Sequence, residues 1–191
     1  MYRFQLQTLE DDFKERKKKN TPYSEEEIIR HFYSLVCGVE YLHSKKTFHG
    51  DIQPDNLLLD NNGALKIRDV EDEDSDQTYQ YSAPEVLGEK PTKEADIWSI
   101  GVVILELCLF ESRLLNSALS QKKLQNKLDK LFKNLEGKYH SSLRVLLKKL
   151  LNLDPEERPD IAQIKADLEK DFPKIIVCFS SASLIDFSVG K

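Results

Sequence analysis

The eight residues His49-Gly50-Asp51-Ile52-Gln53-Pro54-Asp55-Asn56 carry the most chemistry in this chain. They place a carboxylate, Asp51, and an amide, Asn56, in one short segment. Phosphoryl transfer uses such a pair, because a carboxylate can accept the proton of an attacking hydroxyl while an amide oxygen holds a divalent cation on the phosphates. Either residue alone in a loop is more often a turn former or a cap, so the surrounding sequence has to decide.

A helix is predicted immediately before this segment. Ser24 and Glu27 have the spacing of a capping box, which predicts a helix from Glu25 to about Ser44. Its apolar residues recur every three or four positions, at Ile28, Phe32, Leu35, Val36, Val39 and Leu42. This stripe must pack against a core, and the helix therefore anchors the start of the loop that follows.

A β-hairpin is predicted immediately after the segment. Two short apolar runs, Leu57 to Leu59 and Ala64 to Ile67, flank a turn containing Asn62-Gly63. Asp69 follows the second run and offers another hard oxygen, and Mg²⁺ commonly takes one or two protein carboxylates. The order of Asp51, Asn56 and Asp69 around a strand pair indicates a metal site beside the hairpin.

The rest of the chain is predicted to be mostly helical. Residues 69–80 are acidic and without periodicity, which indicates an exposed loop. Helices are expected over Lys93 to Leu109, Gln121 to Leu135, Ser141 to Leu151 and Ile161 to Glu169. No element is assigned to the stretch from Ile175 to Lys191.

Composition narrows the class of protein. The 191 residues carry a net charge of −5, with 40% hydrophobic and 32% charged residues, which fits one soluble globular domain and gives no footprint for nucleic acid. The basic run at 14–19 is expected to be a solvated helix face. Three separated cysteines suggest neither disulfides nor a zinc site, and no stretch is long enough to cross a membrane. An intracellular, cytoplasmic protein is expected.

Five segments occur in an order that resembles the C-terminal lobe of the eukaryotic-type protein kinase superfamily, in its serine/threonine-like form. The segments correspond to the catalytic loop, the magnesium loop, the end of the activation segment, the start of the central helix and the closing motif. They are His49 to Asn56, Arg68-Asp69-Val70-Glu71, Thr78-Tyr79-Gln80-Tyr81-Ser82-Ala83-Pro84-Glu85, Asp96-Ile97-Trp98-Ser99-Ile100-Gly101 and Leu153-Asp154-Pro155-Glu156-Glu157-Arg158-Pro159.

The resemblance implies a mainly α fold, a helical bundle with a small β-hairpin at the catalytic loop and without the N-lobe. Residues 1–172 would form this incomplete kinase domain, with the hinge near 1–8, and 173–191 a tail of unknown structure. Thr8-Leu9-Glu10-Asp11 resembles the first residues after the hinge. The glycine-rich loop and the strand lysine that kinases place upstream of the hinge are therefore expected to be missing.

The resemblance also implies the chemical roles. Asp51 would be the catalytic base, and Asn56 and Asp69 the Mg²⁺ ligands. Leu58 would form part of the floor under the adenine of ATP. Gln53 stands at the catalytic position where serine/threonine kinases have a lysine. ATP and Mg²⁺ are the implied cofactors.

Supporting roles follow in the same way. Thr78 would brace the catalytic loop beside the substrate hydroxyl, and His49 would be structural. Asp96 would hold the loop's backbone from below. Glu85 and Arg158 would form an ion pair that fixes the activation segment to the helical lobe.

The sequence also departs from the kinase pattern. Gly50 replaces the arginine that precedes the base, which weakens the case for control by loop phosphorylation. Gln53 brings no positive charge to the transferring phosphoryl group. Val70 and Glu71 replace the aromatic residue and glycine of the metal loop. The acids at 71–76 could recruit cations or repel nucleotide, and repulsion or simple solvation is favoured.

Three functions remain open from the sequence. The first is a serine/threonine protein kinase, truncated and weak or inactive as this chain, which acts on a protein substrate. The second is a pseudokinase-like interaction module that binds a protein partner without catalysis. A small-molecule phosphotransferase is less favoured, because the segments around Glu85, Asp96 and Arg158 are not expected there.

Overall fold

The computed structural model describes residues 7–68, 80–86 and 92–183, with side chains as far as Cys178. The predicted fold class is confirmed: the described chain is mostly helical, with one small antiparallel sheet. The strands are β1 (Gln7–Thr8), β2 (Leu57–Leu59) and β3 (Leu65–Ile67). The helices are α1 (Leu9–Lys19), α2 (Glu25–Ser44), α3 (Lys93–Leu109), α4 (Gln121–Asn134), α5 (Ser141–Leu150), α6 (Ile161–Asp171) and α7 (Pro173–Ser183).

Helix α2 has the predicted bounds and begins with the predicted capping box. Ser24 Oγ accepts from the Glu27 N–H at 3.2 Å, and Glu27 Oε2 accepts from the Ser24 N–H at 2.8 Å. The apolar stripe is buried except for Leu42, which is partly exposed, and the helix packs on α3, α6, α7 and β3. Helix α2 is therefore a central element of the core, and the loop 45–56 starts where it ends.

The predicted hairpin is also confirmed. Strand β2 pairs with β3 in the register Leu57 to Ile67 and Leu59 to Leu65, and β1 adds a third strand on the other side of β2. Asp60 Oδ1 accepts from the backbone N–H groups of Asn62 and Ala64, at 2.9 and 2.8 Å. The turn is closed by a side chain as well as by Gly63, whose φ of 76° suits glycine.

Helix α3 runs through the middle of the core. Nearly all of its residues from Ala95 onward are buried, and Thr92 caps its first turn by accepting from the Ala95 N–H at 3.2 Å. Its bounds are those predicted, because a long apolar run indicates a buried helix. The loop 45–56 is bonded to this helix through Asp96.

The last two helices differ from the prediction. Helix α6 continues to Asp171, and α7 begins at Pro173, in a stretch to which the sequence assigns no element. Proline is favoured in the first turn of a helix because it has no N–H to leave unpaired. Ile176 is buried, so α7 adds to the core through a few apolar contacts rather than a regular stripe.

The basic run lies on α1 and is largely neutralised within the fold. Lys14, Arg16 and Lys19 pair with acids one turn earlier, and Lys17 lies over the ring of Phe110 at 4.5 Å. The exposed Lys14 and Lys19 agree with the predicted solvated helix face, whereas the Arg16–Asp12 pair is partly buried. Among the described residues, no helix is both long enough and apolar enough to span a bilayer.

Candidate active site

Asp96, in the first turn of α3, determines the path of the loop 45–56. Its side chain is 1% exposed, Oδ1 accepts from the Gly50 N–H at 2.9 Å, and Oδ2 accepts from the His49 N–H at 3.0 Å. His43 Nε2 lies 2.9 Å from the same Oδ2. A buried carboxylate requires such partners, and here two of them are loop amides. Gly50 has a φ of 76°, a conformation that most residues adopt only with strain.

The ring of His49 links the loop to the end of β3. Its Nδ1 accepts from the Asp51 N–H at 3.2 Å, and its Nε2 lies 2.9 Å from the carbonyl oxygen of Arg68. Because a carbonyl can only accept, Nε2 carries the hydrogen and Nδ1 is the acceptor. This single neutral tautomer satisfies both contacts.

The carboxylate of Asp51 is held by two amides. Oδ1 accepts from Gln53 Nε2 at 2.8 Å, and Oδ2 accepts from Asn56 Nδ2 at 2.6 Å. Asn56, which is 4% exposed, also donates to the backbone carbonyl of Asp51 at 2.9 Å. A carboxylate has about four lone-pair positions, so Asp51 is oriented and can still accept a proton.

Asn56 has a further partner that the sequence analysis did not assign. Arg68 Nη2 donates to Asn56 Oδ1 at 2.8 Å, and the Arg68 backbone N–H donates to the Asn56 carbonyl at 2.9 Å. The only sequence signal is that Arg68 precedes Asp69 in the metal-loop segment. Its contact with Asn56 depends on the hairpin that folds the two residues together.

The metal prediction meets a conflict at Asn56. Its oxygen, the expected ligand atom, already accepts from a guanidinium, which would lie beside any bound cation. The arrangement therefore does not fit Mg²⁺ on this oxygen. Asp69 and Thr78, as well as Val70 and Glu71, lie outside the described residues. Across the part of the chain that is described, no cluster of three or more histidine, cysteine or acidic side chains could hold a metal ion.

Leu58 lies on the middle strand of the sheet. It pairs with Thr8 on one side and Lys66 on the other, and it is half-buried. The strand places it next to the loop 45–56 in the chain, with part of its side chain accessible. Its suggested contact with adenine stays a prediction.

The segment 80–86 is attached to α3 by hydrogen bonds. Ser99 Oγ donates to the Tyr81 carbonyl and the Tyr81 hydroxyl donates to Glu106 Oε2, both at 2.8 Å, while the Ser117 hydroxyl donates to the Ser82 carbonyl. Glu106 was not predicted to matter. The available signal was that it is the one charged residue in the apolar run 100–110.

Burial makes the carboxyl of Glu106 a weaker acid than usual. Loss of hydration raises the pKa of its carboxyl to about 7, against the opposing effect of the donors that bond it. Those donors are the Leu114 N–H, at 3.0 Å from Oε1, the Tyr81 hydroxyl and the Arg113 N–H. Near neutral pH the group is divided between its charged and neutral forms.

Glu85 and Arg158 lie together, as a bidentate pair. The guanidinium donates to the two carboxylate oxygens at 2.6 and 2.9 Å, and the Arg158 side chain is fully buried. It also donates to the carbonyls of Glu94 and Asn152, each at 2.9 Å, and lies 5.1 Å from the ring of Trp98. Segment 80–86 is thereby joined to α3 and to the loop before α6.

Sequence comparison supports the same family. The profile of the protein kinase domain matches residues 3–168. CBL-interacting serine/threonine-protein kinase 8 of Arabidopsis thaliana is 34% identical over 78% of this chain and 36% of its own length. CBL-interacting protein kinase 26 of Oryza sativa subsp. japonica is 32% identical over 78% of the chain and 33% of its own length.

A fungal relative gives a similar result. The cAMP-dependent protein kinase type 3 of Saccharomyces cerevisiae is 35% identical over 76% of this chain and 39% of its own length. The chain thus spans between 33 and 39% of the length of these three curated relatives. Because the profile covers most of the chain, this chain belongs to the protein kinase family.

Proposed function

We propose that this chain is the part of a serine/threonine-type protein kinase that carries the catalytic loop and would act on protein hydroxyls with ATP as phosphoryl donor. We further propose that the chain alone transfers phosphate weakly or not at all. The observation that carries the first statement is the Asp51 carboxylate, held by Asn56 and Gln53 on a loop that Asp96 anchors. The name of one relative, CBL-interacting serine/threonine-protein kinase 8, supports the serine/threonine class.

In this function, Asp51 would accept the proton of the substrate hydroxyl as its oxygen attacks the γ-phosphorus. Asn56 and Gln53 would keep the carboxylate pointed at that hydroxyl. Segment 80–86, held by Ser99 and Glu106, would form the surface along which the substrate chain lies.

Three features support weak activity. Gln53 donates to Asp51 and brings no positive charge to the phosphoryl group, whereas serine/threonine kinases have a lysine there. The Arg68 guanidinium donates to the side-chain oxygen of Asn56, which is the atom expected to hold Mg²⁺. The 191 residues also contain no glycine-rich phosphate loop of the kinase type.

The same features favour a second candidate, a pseudokinase-like module that binds a protein partner through its helical lobe without catalysis. A small-molecule phosphotransferase is less favoured, because the Glu85–Arg158 pair and the attached segment 80–86 have no evident use there.

Nucleotide binding tests the proposal directly. ADP is titrated into the ¹⁵N-labelled chain, and shift changes in the ¹H–¹⁵N spectrum are mapped to residues. The proposed function predicts changes centred on Leu58 and the Asp51 to Asn56 loop. Shifts confined to another surface, or no shifts at millimolar ADP, would contradict a nucleotide site. Either result would favour the pseudokinase-like interaction module.

Activity is measured in parallel with a Ser/Thr peptide mixture and ATP. Wild type and Asp51→Asn are both expected to show only background phosphorylation. Gln53→Lys is expected to phosphorylate the peptides faster than either, if positive charge at that position limits the rate. Substrate phosphorylation by wild type that Asp51→Asn abolishes would overturn the statement of weak activity.

A further inference from the structure

Arg68 is fixed at the catalytic loop by three polar contacts. Its N–H donates to the Asn56 carbonyl, its carbonyl accepts from His49 Nε2, and its guanidinium donates to Asn56 Oδ1. The first two are backbone contacts at 2.9 Å, so the starting point of the side chain is determined by the hairpin and the loop. The position of the guanidinium is thus part of the fold.

The amide of Asn56 cannot turn away from this partner. Its Nδ2 already donates to the Asp51 carbonyl and to Asp51 Oδ2. Rotating the amide by half a turn would place its oxygen against the carboxylate and its NH₂ against the guanidinium, and both contacts would be repulsive. The oxygen of Asn56 therefore has to face Arg68.

Arg68 has guanidinium N–H groups that the described contacts do not use. Its residue is exposed, and no carboxylate of the described ranges forms an ion pair with it. A guanidinium has five N–H donors, of which the side-chain contact described uses one. Its planar fork matches the geometry of phosphate oxygens.

We propose that Arg68 is the cation of this site in place of a divalent metal on Asn56, and that it binds a nucleotide phosphate directly. The phosphate half of this inference depends on the nucleotide function proposed above. The metal half does not, because it concerns only the oxygen of Asn56. A dication on that oxygen would lie beside a fixed positive charge, and Asn56 offers no negative charge to offset the repulsion.

Paramagnetic broadening tests the metal half. Mn²⁺ is titrated into the ¹⁵N-labelled chain while the Asn56 side-chain NH₂ signals are followed. We expect Mn²⁺ to bind at Asn56 at least about tenfold more tightly in Arg68→Gln than in wild type, because the competing charge has gone. Lys66→Gln is the matched control, since it removes the same charge from β3, where Lys66 lies 3.6 Å from Asp60. It should behave as wild type.

Three results would overturn the metal half. Equal Mn²⁺ broadening of Asn56 in wild type and Arg68→Gln would show that Arg68 excludes nothing. Equal gains in Lys66→Gln and Arg68→Gln would show a general charge effect. Absence of Mn²⁺ from Asn56 in all variants would show that another feature excludes the metal.

ADP affinity, measured in EDTA and in Mg²⁺, tests the phosphate half. Wild type should bind ADP equally well in both, within about twofold, whereas Arg68→Gln should lose affinity at least about tenfold in EDTA. A wild-type affinity that rises tenfold or more with Mg²⁺ would overturn it. No ADP binding in either condition would overturn the nucleotide function and the phosphate half together, while the Mn²⁺ result would still decide the metal half.

Discussion

Asp96 shows how one buried carboxylate can determine the path of a loop. It was assigned from a resemblance, and the structure places both of its oxygens on the backbone amides of His49 and Gly50. The sequence could suggest this partner because Asp96 stands in a recognisable segment. Arg68 and Glu106 gave no comparable signal, because their contacts depend on side chains brought together by the hairpin and by α3.

Replacing Asp96 should cost much of the protein's stability. Asp96→Ala would leave two loop N–H groups without their acceptor in the interior, and we expect the free energy of unfolding to fall by about 2–4 kcal/mol. Urea denaturation measures this change. Asp129→Ala, which removes an exposed acid on α4, should cost less than about 0.5 kcal/mol. Equal losses in the two variants would show that Asp96 does not support the loop.

Glu106 should make stability depend on pH. Its folded pKa of about 7 lies above the usual 4.5, so the folded state holds a proton that the unfolded state has lost between these values. Stability from this group is therefore complete below about pH 4.5 and falls as pH rises to 7, by roughly 3 kcal/mol in total. Glu106→Gln should remove this decline.

Urea unfolding of wild type and Glu106→Gln between pH 5 and about 8 measures the difference in slope. The comparison is needed because burial lowers the pKa of His31 to about 4, which makes stability rise with pH between that value and 6.5. Glu111→Gln removes an exposed acid nearby and should keep the wild-type slope. If stability changes with pH equally in Glu106→Gln and wild type, the raised pKa of Glu106 is refuted.

At the scale of elements, local chemistry explains which predictions succeeded. Helix α2 and the hairpin were predicted with nearly correct bounds because caps, apolar periodicity and an Asn-Gly turn are all encoded within a few residues. Helix α7 was not predicted, because its residues show no regular stripe and its burial depends on neighbouring helices. Thr78 and Asp69 lie outside the described residues, and their roles stay predictions.

The capping box of α2 should contribute measurably to stability. Ser24→Ala removes the acceptor for the Glu27 N–H, and we expect a loss of about 1 kcal/mol. Ser120→Ala is a suitable control, because Ser120 occupies the same position before α4 without a side-chain capping bond. Thermal or urea unfolding should show the smaller loss at Ser120. A Ser24 loss no greater than the Ser120 loss would contradict the cap.

At the scale of the whole molecule, the Glu85–Arg158 pair joins segment 80–86 to the helical core. The two residues are far apart in the sequence, and only the resemblance suggested that they meet. The Arg158 side chain of this pair is buried, and its guanidinium also donates to two backbone carbonyls. Such a pair holds separate parts of the chain in one arrangement.

Removing the acid should therefore cost more than removing an ordinary surface pair. Glu85→Ala leaves the buried Arg158 guanidinium uncompensated, and we expect a loss of about 3 kcal/mol together with faster hydrogen exchange in segment 80–86. Asp167→Ala breaks the more exposed Lys149–Asp167 pair and should cost below about 1 kcal/mol. Unchanged exchange in Glu85→Ala would show that the pair does not hold the segment.

A crystal structure of the chain near neutral pH tests the central claim most directly. It should show Asp51 Oδ2 within about 3 Å of Asn56 Nδ2, with Asp96 bonded to the loop's two amides beneath them. A carboxylate of Asp51 turned away from Asn56, or an Asp96 without contact to the loop, would contradict the assignment of a kinase catalytic loop.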